Sequence, residues 1–189
     1  MEKIILTDCD GVILNWESQF HLWMSDRGYN ITKNSVYEIH DTYDIAQDRA
    51  IQCIEEFNTS AYIVGLPSFR DAISGVARLK EHGYKFIAIT SVGDNPYTDL
   101  LRKINLENIF GSETFLEVHC LSEAQGKRST LEKFKNSGLP WVEDLPKNAK
   151  LGSELGLNTF LIDHPYNQYF EDETITRVQN WEHICEILI

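Results

Sequence analysis

The chain has 189 residues, with 17 Lys and Arg against 29 Asp and Glu and a formal net charge of -12. That length suits one domain, or one core with a modest insertion, and the acidic balance argues against coating a nucleic-acid polymer, because phosphate backbones reward clustered Lys and Arg. The four cysteines, Cys9, Cys53, Cys120 and Cys185, form no CxxC pair, so the expectation is reduced thiols in a cytoplasmic protein rather than a zinc ribbon or redox motif.

The apolar run Lys3 to Leu6 ends in Thr7-Asp8-Cys9-Asp10-Gly11-Val12. Side chains two apart on a strand share a face, so Asp8 and Asp10 can leave a sheet pointing the same way, close enough to share a cation and a phosphate. Holding two like charges together where burial penalises both is costly. A hard divalent ion such as Mg2+, bound by carboxylate and carbonyl oxygens, removes that cost. The plainer alternative is a polar strand end whose carboxylates only cap a turn. Because Asp8 and Asp10 interrupt the run, no signal peptide is expected; nowhere do about 18 consecutive apolar residues occur, so no membrane partner is expected either.

From Asn15 to Val64 no strand pattern is present; Trp16 to Arg27 and Tyr43 to Phe57 read as helices joined by the polar Asn30 to Asn34 stretch. Beyond it, Phe69 to His82 carries Ile73, Val76, Ala77 and Leu79 at helical spacing and stops at Gly83, a residue suited to the end of a helix. Strands are predicted over Lys3 to Thr7, Lys85 to Ser91, Thr114 to Val118, Pro140 to Glu143 and Asn158 to Ile162, and further helices over Asn95 to Ile104, Ser129 to Lys135 and Pro146 to Leu155. This alternation predicts an α/β fold, a parallel sheet with helices on both faces. The helical insertion follows directly after the first strand.

In an open parallel sheet, ligands bind beyond the carboxyl ends of the strands. The second strand ends in Thr90-Ser91, hydroxyls able to donate to a phosphate oxygen. Lys127, ahead of the helix that begins at Ser129, can face the same anion. The fourth strand ends in Glu143-Asp144, a third and fourth carboxylate opposite the first pair. Each has a plain alternative: Thr90 and Ser91 as a helix cap, Lys127 as a solvated charge, Glu143 and Asp144 as a cap for the helix that Pro146 begins. Their appearance in order, each at a strand end, favours a shared site.

In that order, Asp8-Cys9-Asp10-Gly11-Val12, Thr90 or Ser91, Lys127 and Glu143-Asp144 resemble the four motifs of the haloacid dehalogenase-like hydrolase superfamily. The resemblance implies a three-layer Rossmann-like core, residues 1–14 and 65–189, with a small helical C1-type cap, residues 15–64, inserted after the first strand. It implies that Asp8 is a nucleophile forming an aspartyl-phosphate, and that Asp10 protonates the leaving oxygen and then activates water. It places Mg2+ on Asp8, the backbone carbonyl of Asp10 and Asp144, with Glu143 and Asn148 behind them. Lys127, with Thr90 and Ser91, would meet the phosphoryl oxygens. An acid at position 10 favours phosphatase over dehalogenase chemistry. Cys9 departs from the family pattern, which usually has a large apolar residue there.

A narrower resemblance joins Asp-x-Asp-Gly-Val, Trp16, the Thr90-Ser91 pair and Asp163-His164-Pro165-Tyr166-Asn167 to the 5'(3')-deoxyribonucleotidases. It implies a small phosphorylated partner, a (deoxy)nucleoside monophosphate, whose base stacks on Trp16 with Phe20 in the same cap pocket. Trp16, Phe20 and Trp23 read equally well as one apolar stripe packing cap against core. The alternatives are a phosphatase for a sugar phosphate or other metabolite, and a binding protein of the same fold without turnover. His21, His40, His82, His119 and His183 have no ligand-like spacing.

Overall fold

The computed structural model describes residues 3–93, 95–122 and 124–189; residues 1–2, 94 and 123, all within the expected core, lie outside the described set. Six strands, β1 (Lys3–Thr7), β2 (Tyr84–Ser91), β3 (Phe115–Leu121), β4 (Pro140–Glu143), β5 (Asn158–Ile162) and β6 (Ile175–Val178), form one parallel sheet in the order β3-β2-β1-β4-β5-β6. β1 is central, paired with β2 from Lys3 opposite Tyr84 to Thr7 opposite Ala88, and with β4 through Leu6 opposite Trp141 and Thr7 opposite Val142.

A parallel sheet is buried on both faces, which explains why its inner strands are apolar throughout rather than alternating. Successive side chains feed two apolar layers. Ile5, Phe86, Ala88, Val142 and Phe160 pack on one side, with Val76, Leu79, Trp181 and Ile184. Leu6, Ile87, Ile89 and Trp141 pack on the other, with Leu131, Leu155 and Leu157. The expected α/β fold, a parallel sheet between two helical layers, therefore holds.

The helices are α1 (Trp16–Ser25), α2 (Ile39–Tyr43), α3 (Gln47–Asn58), α4 (Ala72–Glu81), α5 (Pro96–Phe110), α6 (Arg128–Leu131), α7 (Pro146–Glu154) and α8 (Trp181–Leu188). Several differ from expectation. The helix predicted over Tyr43 to Phe57 is split, since Asp44 adopts a left-handed backbone (φ 52°) that ends α2 before α3 starts. β3 runs to Leu121 instead of Val118 because it is an edge strand, where Glu117 and His119 do not have to be buried. The helix predicted over Ser129 to Lys135 is α6 followed by a tighter turn over Glu132–Phe134. β6 and α8 are additional elements: β6 is short and carries Arg177 amid its apolar residues, which hides its strand pattern.

Between β1 and β2 the described residues form helices and no named strand, as expected. Phe20, Trp23, Tyr43 and Phe57 build an aromatic centre there that is continuous with the apolar layer on one face of the sheet. The chain leaves and returns side by side. The Asn15 amide donates to the Pro67 carbonyl at 2.8 Å and the Phe69 amide to the Ile13 carbonyl at 2.8 Å. α8 supports the loop after β1, its Trp181 indole N–H donating to the Val12 carbonyl at 2.8 Å. No helix among the described residues is long and apolar enough to cross a membrane.

Candidate active site

Having laid β2 and β3 on one side of β1, the chain places β4, β5 and β6 on the other, so the loops leaving β1 and β4 diverge. That divergence is where an open parallel sheet forms a ligand crevice. β1 delivers Asp8 and β4 delivers Glu143 and Asp144. All three are buried, and each can offer a carboxylate oxygen lying within 4.8 Å of the others. Lys127, at the amino end of α6 and also buried, sets its Nζ 2.8 Å from Asp8 Oδ2 and 2.6 Å from Glu143 Oε1.

The four groups are not equivalent. Both oxygens of Glu143 are consumed: Oε1 accepts from Lys127 and from Asn148 Nδ2 at 2.7 Å, and Oε2 accepts from the amides of Asp144 at 2.7 Å and Leu145 at 2.8 Å. Burial alone would raise the Glu143 carboxyl, but Lys127 and these donors outweigh it and hold it low. Asp144 has less support, and burial, Glu143 and Asp8 outweigh the Tyr166 hydroxyl and push its carboxyl well above the ordinary range. Burial also pushes Asp8 up, to about 7, against the pull of Lys127. Three ionised carboxylates beside one ammonium leave -3 + 1 = -2, a deficit that one divalent cation would cancel. Hard oxygen donors of this kind fit Mg2+, and among the described residues each oxygen of Asp8 and Asp144 meets at most one donor, against two on each oxygen of Glu143.

The backbone around this cluster leaves little room. Gly11 has φ +74°, and a Cβ there would stand 2.5 Å from Asp144 Oδ2, so only glycine fits between the two loops. The loop after β5 closes the far side. Tyr166 Oη donates to Asp144 Oδ2, and Asn167 Nδ2 donates to the carbonyls of Asp144 and Ile162, both at 2.8 Å. His164, stacked between Phe69 and Tyr166, places Nε2 2.8 Å from the Gly11 carbonyl. Burial lowers its imidazole against the pull of that carbonyl, favouring the neutral ring, which donates there. The motif Asp163 to Asn167 is thus the brace of the acidic cluster, a role that its residue types alone did not announce.

At the end of β2, Thr90 and Ser91 line the same cavity, and Thr90 Oγ1 is a buried hydroxyl with no hydrogen-bond partner among the described residues. Such an orphan ordinarily costs about 1–3 kcal/mol; a ligand oxygen would satisfy it. Asp10 also lines the cavity, but both its oxygens are engaged by Arg102 of α5 at 2.7 Å each. Sequence reasoning missed Arg102. Cys9, between the two acids, is fully buried, and burial pushes its thiol far up. Its side chain packs in the apolar layer as a small hydrophobic group.

The cavity, about 220 Å3, opens between these groups and the inserted helices. Trp16 lines it, its ring stacked on Phe20 (centroids 4.5 Å apart) and its indole N–H donating to Asn58 Oδ1 at 2.8 Å. The expectation that Phe20 also contacts substrate is corrected: Phe20 is fully buried beneath Trp16 and is not among the lining residues, because the aromatic centre of the insertion claims it.

No family model matches the chain. It is 30% identical over 166 residues to an uncharacterized 32.4 kDa protein of the gp30–rIII intergenic region of Enterobacteria phage T4, a match covering 82% of this chain. The chain spans 58% of the length of that curated relative. Among solved structures it is similar to a haloacid dehalogenase-like hydrolase from Streptococcus pneumoniae (TM-score 0.68, 14% identity, 98% of each chain). A predicted phosphatase from Clostridium acetobutylicum gives a TM-score of 0.66 at 13% identity over 100% of both chains. D,D-heptose 1,7-bisphosphate phosphatase from B. bronchiseptica, solved with magnesium and phosphate, gives 0.59 at 12% identity over 98% of this chain and 97% of that one. A central β1, an all-parallel six-stranded sheet and near-complete overlap with such structures mean that this chain has the haloacid dehalogenase-like hydrolase fold.

Proposed function

We propose that the chain is a Mg2+-dependent phosphatase of small phosphate monoesters, working through an aspartyl-phosphate on Asp8, with (deoxy)nucleoside monophosphates as its substrates. The observation that carries the reading is the buried set of Asp8, Asp144 and Lys127 beside the Thr90 hydroxyl, which has no partner among the described residues. Two of the three Lys127 ammonium donors are taken by Asp8 and Glu143, which leaves the third for a phosphoryl oxygen. Thr90 supplies a second donor without adding charge, and Ser91 lies beside it. Asp8 attacks phosphorus, Asp10 gives a proton to the leaving oxygen, and Asp10 then takes one from the water that cleaves the intermediate. Mg2+, held by Asp8, Asp144 and the Asp10 carbonyl with Glu143 and Asn148 behind them, would neutralise charge on the transferring group.

Residues 15–64 act in this account as a cap that reads the rest of the substrate. Among the described lining residues Lys127 is the only cation, and the inserted segment contributes Trp16, Tyr37 and Ile39 together with Glu17 and Glu38. Such a wall suits a flat uncharged group better than a second phosphate, which favours a nucleoside over a bisphosphorylated sugar. Trp16→Ala is expected to raise KM for nucleoside monophosphates by about 10- to 100-fold, from a stacking loss of roughly 1 to 3 kcal/mol. Turnover of p-nitrophenyl phosphate is expected to change much less. Because Trp16 also packs on Phe20 and bonds Asn58, the variant will melt lower. Equal losses on both substrates would assign Trp16 to packing alone, and faster hydrolysis of hexose phosphates than of nucleotides would replace the nucleotidase reading with a sugar phosphatase.

A further inference from the structure

We propose that Arg102 is the positioning residue that aims Asp10 at the scissile bond; this deepens the phosphatase reading and rests on it. Arg102 is fully buried, its Nη1 and Nη2 each lie 2.7 Å from one oxygen of Asp10, and its Nε has no partner among the described residues. The guanidinium therefore spends its paired donors on a single carboxylate. It stands on the inward face of α5 with Thr98, Leu101, Asn105 and Leu106, a face where apolar residues would pack more cheaply. Asn105 Nδ2 donates to the Val64 and Leu66 carbonyls at 2.9 Å each, which fixes α5 against the segment returning to the core.

A buried ion pair can be purely structural, and the placement of Asp10 argues for more. Its side chain stays 28% exposed and lines the cavity beside Asp8 and Thr90. A two-pronged guanidinium contact takes one lone pair from each oxygen and leaves a second on each. Because the fork is planar, it also fixes the rotation of the carboxyl, which a lysine ammonium cannot do. In the first half-reaction an Asp8 oxygen bonds to phosphorus as the ester P–O bond breaks, and the proton on Asp10 passes to the leaving oxygen. In the second, Asp10 takes a proton from the water attacking phosphorus, which releases phosphate and restores both acids. Arg102 touches neither substrate nor phosphorus; it sets the direction in which Asp10 delivers and receives that proton.

Leaving groups separate this role from a structural one. For Arg102→Met, kcat/KM for a nucleoside 5'-monophosphate, whose alkoxide must be protonated, is expected to fall by about 100-fold or more, the usual scale of general-acid catalysis. For 2,4-dinitrophenyl phosphate, whose phenolate leaves without a proton, kcat/KM is expected to stay within about fivefold of wild type, because that ratio reports only the first half-reaction. A burst of dinitrophenolate, stoichiometric with enzyme, is expected as the second half-reaction slows. Arg102→Lys is expected to show the same split at smaller amplitude, and it carries the test if Arg102→Met does not fold. Parallel losses on both esters, or no loss on either, in a folded variant of an active protein would overturn the assignment of Arg102 alone. Wild-type protein inactive on both esters would overturn the phosphatase reading, and this assignment with it.

Discussion

Asp8→Asn is expected to fold, to melt within about 3 °C of the wild type, and to release phosphate at least about 10^4-fold more slowly. The amide has the shape of the carboxylate. Its oxygen can keep the 2.7 Å hydrogen bond that Asp8 Oδ1 accepts from the Cys9 amide. Lys127 loses one partner and retains Glu143 at 2.6 Å, and the exchanged group is one whose ionisation burial already resists, with its carboxyl pushed up to about 7. An amide oxygen does not form a stable bond to phosphorus, so the chemical loss is large while the structural loss is small. Phosphate release within tenfold of wild type, measured with Mg2+ present, would contradict the nucleophile.

Chelation is expected to abolish turnover, with Mg2+ restoring it, and the same ion is expected to change stability in a pH-dependent way. Asp8 and Asp144 both have folded-state carboxyls raised above their ordinary values, Asp8 to about 7. Between about pH 4 and pH 7 the folded state therefore holds more protons than the unfolded chain at Asp8, and this group's contribution to stability is lost as pH rises through that window. A cation bound to the ionised carboxylates reverses the loss. Mg2+ at about 100 times its Kd stabilises by about 2.7 kcal/mol, or roughly 5–10 °C in Tm for a chain of this size. The rise in Tm is expected at about pH 8 and should shrink markedly at about pH 5.5, where protons compete for the same oxygens. A rate indifferent to EDTA, or a Tm unmoved by Mg2+ at pH 8, would count against the metal site.

The strands and the acidic cluster were legible because both depend on short-range pattern. A buried parallel strand is a continuous apolar run, so β1 and β5 have their predicted limits, and Asp8, Asp10, Glu143 and Asp144 stand out as charges at the ends of such runs. Arg102 was not legible, because an arginine four residues after Thr98 on a helix looks like a solvated charge. Only the tertiary fold shows that Thr98, Arg102 and Asn105 share the inward face of α5 with Leu101 and Leu106. The spacing of those polar residues among the apolar ones was the available clue. Tyr166 and His164 lay inside a motif noted for its resemblance to nucleotidases, yet their bracing contacts run to Asp144 and Gly11, 22 and 153 residues away. Trp16 and Phe20 have the same residue chemistry and differ only in which one the aromatic centre of the insertion covers.

The covalent step itself gives the most direct test. Wild-type protein mixed with Mg2+ and a fast phosphate ester, quenched in acid within one turnover and digested, is expected to yield a phosphorylated peptide containing Asp8. Borohydride treatment of the quenched protein is expected to convert that acyl phosphate, and no other aspartate, to homoserine at position 8. Phosphate release with no modified carboxylate, or with the label on any residue other than Asp8, would contradict the account.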